Sequence, residues 1–257
     1  MVSKEAGISV VVPTLNEALN LPELLERIAT AIGPDHSEVI IVDDHSDDGT
    51  SEVAQAIAKH YPLPLHVMNR DGRRSLSAAV LCGARKAQYR WVAVLDADLS
   101  HPPEILRQLL EIVQSNQADI AIGSRYVSDG RIENWKKSRK FLSGIGTLGA
   151  RLLTSSRDPL SGFFVCECAL LDGTTGRAKA KGFKILLEVL ARNPAARVKE
   201  VPITFADRKH GTSKLGTWQA ICFLVQLVTL SGSRLVSRIT SASYRRNRNR
   251  DICAPVN

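Results

Sequence analysis

The chain has 257 residues, 44% of them hydrophobic, which is enough apolar material for one sizeable α/β core. Its net charge of +8 calls for an anionic partner, but the excess is local: residues 131–140 hold five Lys/Arg against Glu133, and residues 231–257 hold six Arg against Asp251. A nucleic-acid-binding coat would spread further and carry more than the 5% aromatic residues present, so nucleic acid is set aside as a partner.

The elements follow from hydrophobic pattern in chain order. Ile8–Val12 reads as a strand. Asn20 reads as the cap of a helix, with Glu23 completing a capping box and Leu21, Leu24, Leu25 and Ile28 as the apolar stripe. Val39–Val42 is a second strand with a helix after Gly49, and Leu65–Met68 a third with a helix through Ala78–Ala87. Trp91–Leu95 is the fourth strand, Pro102–Gln114 a helix with proline in its first turn, and Ile120–Gly123 the fifth strand. This alternation predicts an α/β fold, a mostly parallel sheet with helices on both faces. Without internal repeat or long linker, the chain divides into one domain (1–216), a helix (217–240) and a basic tail of disordered composition (241–257). The cysteines, Cys82, Cys166, Cys168, Cys222 and Cys253, are odd in number and follow no secretory signal, as expected of reduced thiols in a cytosolic protein. Cys166 and Cys168 lie in a predicted strand and point one way as small core or groove residues; no second pair has zinc spacing.

Polar residues collect where the strands end. Pro13-Thr-Leu-Asn-Glu17 follows the first strand, Asp43-Asp-His-Ser-Asp-Asp-Gly49 the second, and Asp96-Ala-Asp98 the fourth. Open α/β sheets bind ligands at this edge. Alternation along an extended chain points Asp96 and Asp98 the same way, and two hard oxygen ligands suit Mg²⁺ or Mn²⁺ shared with a diphosphate. The acid-rich second loop lacks the bidentate Glu and spacing of an EF-hand, and no Gly-rich phosphate loop occurs. A base and ribose held by acids and backbone, with phosphates on a metal, fits these residues.

The motifs resemble a family. P-T-x-N-E, D-D-x-S-x-D-G-T and DADLSHPPE are similar to a family 2 GT-A glycosyltransferase, and IGSRYVSDGRIENW, DPLSGFFV, GFKILLEVL and VPITFADRKHGTSKLG narrow the likeness to polyprenyl-phosphate (dolichyl-phosphate) mannosyltransferases. The match runs from about Ile8 to Gly216 and implies a GT-A sheet, metal dependence and inverting transfer of mannose from GDP-mannose to a polyprenyl phosphate. It assigns Pro13, Leu15 and Glu17 to the nucleotide base, Val42 and Asp44 to base and ribose, Asp96 and Ala97 to the donor, and Asp98 to the metal. Arg125 falls near the donor phosphate and sugar, Arg139 and Ser143 on a loop receiving the acceptor phosphate, and Arg208 and Lys214 over the donor diphosphate.

The chemistry explains the residue types. A phosphate monoester has a second pKa of about 6, so the acceptor is an anion at neutral pH and needs no general base. It needs cationic positioning, and the leaving diphosphate needs its growing charge neutralised. The reading therefore looks to Arg and Lys, and takes His45, His101 and His210 as loop or cap residues. Two departures stand out. Ser100 replaces a glutamine that often helps hold the metal, so it reaches the metal only through water or else caps the helix at Pro102. The glycine of a K-G-L-S-S-A-V loop is absent from Arg73-Arg-Ser-Leu-Ser-Ala-Ala-Val80, which leaves a UDP-sugar donor as the alternative. A non-catalytic homologue and a nucleotidyltransferase are the further alternatives, the latter disfavoured by Pro13–Glu17.

Between Trp218 and Leu230 the apolar run is broken by Gln219, Gln226 and Thr229, short of the ~20 residues a membrane span needs. An amphipathic helix followed by arginines predicts peripheral attachment at the cytosolic face of a membrane, or to a membrane partner subunit.

Overall fold

The computed structural model describes residues 5–133, 144, 146–175, 184–210, 225–227, 229 and 230. Strands β1 (Glu5–Thr14), β2 (Ser37–Asp43), β3 (Leu65–Asn69), β4 (Tyr89–Val94), β5 (Ile120–Ser124), β7 (Phe164–Glu167) and β8 (Val198–Pro202) form a seven-stranded sheet in the order 3-2-1-4-7-5-8. All its pairings are parallel except those of β7, which runs antiparallel between β4 and β5. A parallel ribbon of β6 (Arg131–Ile132) and β9 (Thr204–Phe205) lies apart.

The period of two in each strand builds two cores. Ile8, Val10 and Val12 of β1 join Val39 and Ile41 of β2 on one face, against Leu21, Leu24, Leu25 and Ile28 of α1 (Leu21–Ile32), Ala54 of α2 (Thr50–Ala58) and Leu106 and Leu109 of α4 (Leu106–Gln114). Val11, Ile40 and Val42 point to the other face, against α3 (Leu76–Lys86), α6 (Cys168–Thr175) and α7 (Ile185–Arg192). Both faces of β1 and β2 are covered, which is why they read as unbroken apolar runs. The expected stripe of α1 is wholly buried, each side chain contributing about 1.5–3 kcal/mol. A third cluster joins α5 (146–151) and α7 to Leu227 and Leu230.

Several local expectations need correction. Asn20 has helical backbone and makes no side-chain cap; its amide instead donates to Glu17 Oε2 at 2.7 Å, and Glu23 pairs with Lys209. The helix expected from Pro102 is a 3₁₀ turn, Pro103–Ile105, before α4 begins. That turn has no side-chain cap, so Ser100 does not serve there. Cys166 is a buried strand residue, but Cys168 opens α6. In the segment 217–240, only 225–227, 229 and 230 are described, and they are helical; 241–257 lies outside the described residues.

Candidate active site

Successive connections run from β1 outward through β2 and β3, while β4 adds on the other side of β1. The crevice at this switch point is framed by the loops after β1, β2 and β4. The first two are stitched together. Asn16 and Asp47 exchange hydrogen bonds at 2.7 and 3.0 Å, and Asp48 accepts from Ala18 N at 3.0 Å and from Thr50 N at 3.0 Å. Asp43 accepts from Thr14 Oγ1 at 2.9 Å and from both donors of Ser46. Asp44 accepts from Arg70 through Oδ1 and from Ser75 N through Oδ2, at 2.5 Å each. The acids of this loop are bound to backbone and side-chain donors, and among the described residues no group of three His, Cys, Asp or Glu could hold a metal.

The turn after β4 is built differently. Leu99 stands in the left-handed region at φ 59°, a strained setting for leucine that costs about 1–3 kcal/mol. This bend lets Ser100 return to Asp98: its Oγ donates at 2.5 Å and its N at 3.1 Å, both to Oδ1. The other oxygen, Oδ2, faces Arg208 Nε at 3.0 Å. Asp96 is beside it with its side chain about a third exposed. Burial first, and the Asp98 charge second, push the Asp96 carboxyl up to about 6, while Lys184, Arg208 and Arg125 pull it back. A pair of carboxylates under such repulsion calls for a cation, and the cleft already sets the Arg208 guanidinium against one of them. Asp98 with Asp96 thus fits a divalent ion that takes few protein oxygens and completes its shell elsewhere. Ser100 orients Asp98 rather than reaching outward.

Cations converge on this pair from three elements. Arg125, at the end of β5, forms a buried fork with Asp158: Nε at 2.8 Å, Nη2 at 2.7 Å, and its own N at 2.9 Å. Burial works against the Arg125 charge, but its bonds and attraction to Asp158 outweigh this and raise the guanidinium above its ordinary value. Its plane is also flanked by the rings of Tyr126 and Phe205, each 5.3 Å away. Lys184, before α7, is lowered by burial and held up by Asp96. Arg208 arrives on the chain leaving β9, which Ala206 N pins to Ser100 O at 3.1 Å. Gly162 closes the floor: an added Cβ would collide with the Asp96 carboxylate. His101, 1% exposed, sits between the rings of Phe163 and Phe205 with Nδ1 3.8 Å from Asp96. Burial pushes it down to about 4, so this loop residue, as expected, is a neutral packing group.

The structure brings Asp96, Ala97, Asp98, Ser100, Arg125 and Arg208 to one place, while Pro13 is buried inside β1, Leu15 and Glu17 lie on the loop after it, and Asp44 follows β2. Val42 is fully buried between the sheet and α3, so any part it has in recognition falls to its main chain. Arg139, Ser143 and Lys214 lie outside the described residues. Asp158, Gly162 and Lys184 were missed as site residues although their motifs were read. An acid inside an apolar stretch (DPLSGFF) and a lysine heading an apolar helix (KILLEVL) were the available signals.

Comparison with known proteins adds lineage to this geometry. The chain is 41% identical over 81% of its length to a dolichol-phosphate mannosyltransferase of Pyrococcus furiosus, spanning 59% of that protein. It is 37% identical to a dolichol-phosphate mannosyltransferase of Saccharomyces cerevisiae, over 86% of both chains. Among solved structures, glucosyl-3-phosphoglycerate synthase of Mycobacterium tuberculosis, with Mn²⁺ and UDP-glucose, superposes with TM-score 0.65 at 18% identity, covering 88% of this chain and 80% of that one. A mannosyltransferase of Pyrobaculum calidifontis, with GDP-mannose and Mn²⁺, gives 0.61 at 20% identity, covering 90% and 64%. These two support the GT-A sheet. The profile of glycosyl transferase family 2 matches residues 9–172, and the chain belongs to that family.

Proposed function

We propose that this chain transfers mannose from GDP-mannose to a polyprenyl (dolichyl) phosphate, with inversion at the sugar carbon. The observation that carries the reading is the convergence of Arg125, Lys184 and Arg208 on the Asp96–Asp98 pair, with the nearest histidine held neutral. Such a site positions and neutralises anions, which is what an already ionised phosphate nucleophile requires. The dolichol-phosphate mannosyltransferases at 37–41% identity support mannose as the transferred sugar and dolichol phosphate as the acceptor.

In the reaction, an acceptor phosphate oxygen forms a bond to the anomeric carbon. The bond from that carbon to the β-phosphate oxygen breaks, and GDP leaves with the electron pair. Asp98, with Asp96 beside it, would hold Mg²⁺ or Mn²⁺, which supplies charge neutralisation for the diphosphate when bound. Asp98 is held in place for this by Ser100 and by the Leu99 bend. Arg208, released from Asp98, is placed to move onto the diphosphate, as the sequence motif suggests for Lys214 too. Arg125, fixed by Asp158, presents a rigid positive edge to the donor, and Glu17 and Asp44 are assigned to base and ribose by motif. Arg139 and Ser143 are assigned to the acceptor phosphate by motif alone.

Among the described residues no helix is long and apolar enough to cross a membrane. For a lipid acceptor we infer docking at a cytosolic membrane surface or on a membrane partner subunit, through the segment 217–240 and its basic neighbours. The test is a transfer assay with polyprenyl phosphate and Mn²⁺ or Mg²⁺, comparing GDP-mannose with UDP-glucose and UDP-N-acetylglucosamine. Lipid-linked mannose from GDP-mannose is expected. Product from a UDP-sugar alone would overturn the donor, and nucleotide binding without product would overturn the catalytic reading for the chain by itself.

A further inference from the structure

Two of the three polar residues that interrupt the C-terminal apolar run are described, and both find partners within the chain. Thr229 Oγ1 donates back to Val225 O at 2.8 Å, one turn earlier. Gln226 is 7% exposed and spends both ends of its amide on one residue. Its Oε1 accepts from Lys184 N at 3.3 Å, and its Nε2 donates to Lys184 O at 3.0 Å. Lys184 has extended backbone, φ −123° and ψ 94°, at the start of α7, where no side chain caps the helix. Leu227 and Leu230 flank the glutamine and pack with Leu187 and Ala191 of α7 and with Leu153. A leucine at 226 would suit that apolar cluster but would lose both hydrogen bonds to the main chain of Lys184, one of the cations whose charge acts on Asp96.

We propose that Gln226 is a positioning residue for donor binding: by clamping the Lys184 main chain it sets where the Lys184 ammonium stands against Asp96 and the donor's charged end. The Gln226 amide is thereby tied to affinity for the nucleotide sugar through a residue 42 positions away in sequence. The proposal rests on the donor reading above and deepens it.

The experiment is a double-mutant cycle on the full chain, read by calorimetric titration with GDP-mannose and Mn²⁺ and by steady-state kinetics with polyprenyl phosphate. Gln226→Leu should weaken donor binding about tenfold and raise KM for the donor, with kcat within about twofold. In a Lys184→Met background the same substitution should have no further effect on donor affinity. Leu230→Ala, which loosens the same packing, should lower the melting temperature without changing that affinity. Should Gln226→Leu fail to fold, Gln226→Glu keeps the shape and the acceptor but loses the donor to Lys184 O, and should show the same split more weakly. A weakening that persists in the Lys184→Met background, or a lower melting temperature with donor KM unchanged, would overturn the proposal and leave a packing role. Wild-type chain that binds UDP-glucose but not GDP-mannose would overturn the donor reading instead, and the cycle is then decided with UDP-glucose. Wild type that binds neither overturns both.

Discussion

The end of β2 and the loop after it carry four acids and the turn after β4 carries two, yet the poorer turn is the better ion site. Asp43, Asp44, Asp47 and Asp48 accept from Thr14, Ser46, Arg70, Ser75, Asn16, Ala18 and Thr50, so their charge is spent on holding two loops and a helix start together. At the β4 turn, Ser100 takes one oxygen of Asp98, the other faces the Arg208 guanidinium, and Asp96 is left under repulsion. The lesson is that ligand capacity follows from which carboxylate oxygens the fold leaves unspent, and a count of acids does not report it.

The contrast can be broken most severely at the β4 turn. Gly162→Ala should displace Asp96 and cut transfer by about 100-fold or more while the protein still folds, since a misplacement near 1 Å at the reacting groups is that costly. Circular dichroism beside the transfer assay would check it. Removing one partner of the buried fork, Asp158→Ala, should cost about 3–5 kcal/mol in denaturant unfolding, because Arg125 is left buried with its charge unmatched. In the β2 loop the effect should fall on stability alone: Asp48→Ala should cost about 1 kcal/mol, the loss expected where a helix start loses its capping carboxylate, with donor affinity nearly unchanged.

A subtler effect concerns pH. The folded-state pKa of Asp96 is raised, so the carboxyl's contribution favours folding at low pH and is lost as pH rises from about 4 through about 6. Asp96→Asn should therefore raise the melting temperature of the metal-free protein at pH 8, with the gain closing by about pH 4. Transfer should fall sharply at every pH. A variant that melts no higher at pH 8 would contradict the repulsion inferred at this pair.

Much of this was legible in the sequence. The strands β1, β2 and β4 are buried on both faces, so their apolar runs announced them, and the sheet's C-terminal edge followed from their order. The Asp96–Asp98 pair was visible because two acids close an apolar strand. What escaped was non-local. The antiparallel β7 is four residues long and wholly apolar at its first three, a pattern with no direction in it. The capping box at Asn20 failed because the residue's own backbone is already helical, with its amide turned to Glu17 three residues earlier. The fork of Arg125 with Asp158 spans 33 residues and the Gln226 clamp on Lys184 spans 42, so neither leaves a periodic trace. Gln226 and Thr229 looked like flaws in an apolar segment, and only their partners show them to be satisfied.

The central claim is that Asp98 takes the divalent ion and the β2-loop acids do not. The most direct measurement is Mn²⁺ binding in the presence of GDP, by electron paramagnetic resonance, for wild type, Asp98→Asn and Asp47→Asn. Bound Mn²⁺ that is lost in Asp98→Asn and retained in Asp47→Asn is the predicted result. Retention in Asp98→Asn with loss in Asp47→Asn would place the ion in the wrong loop and contradict the account.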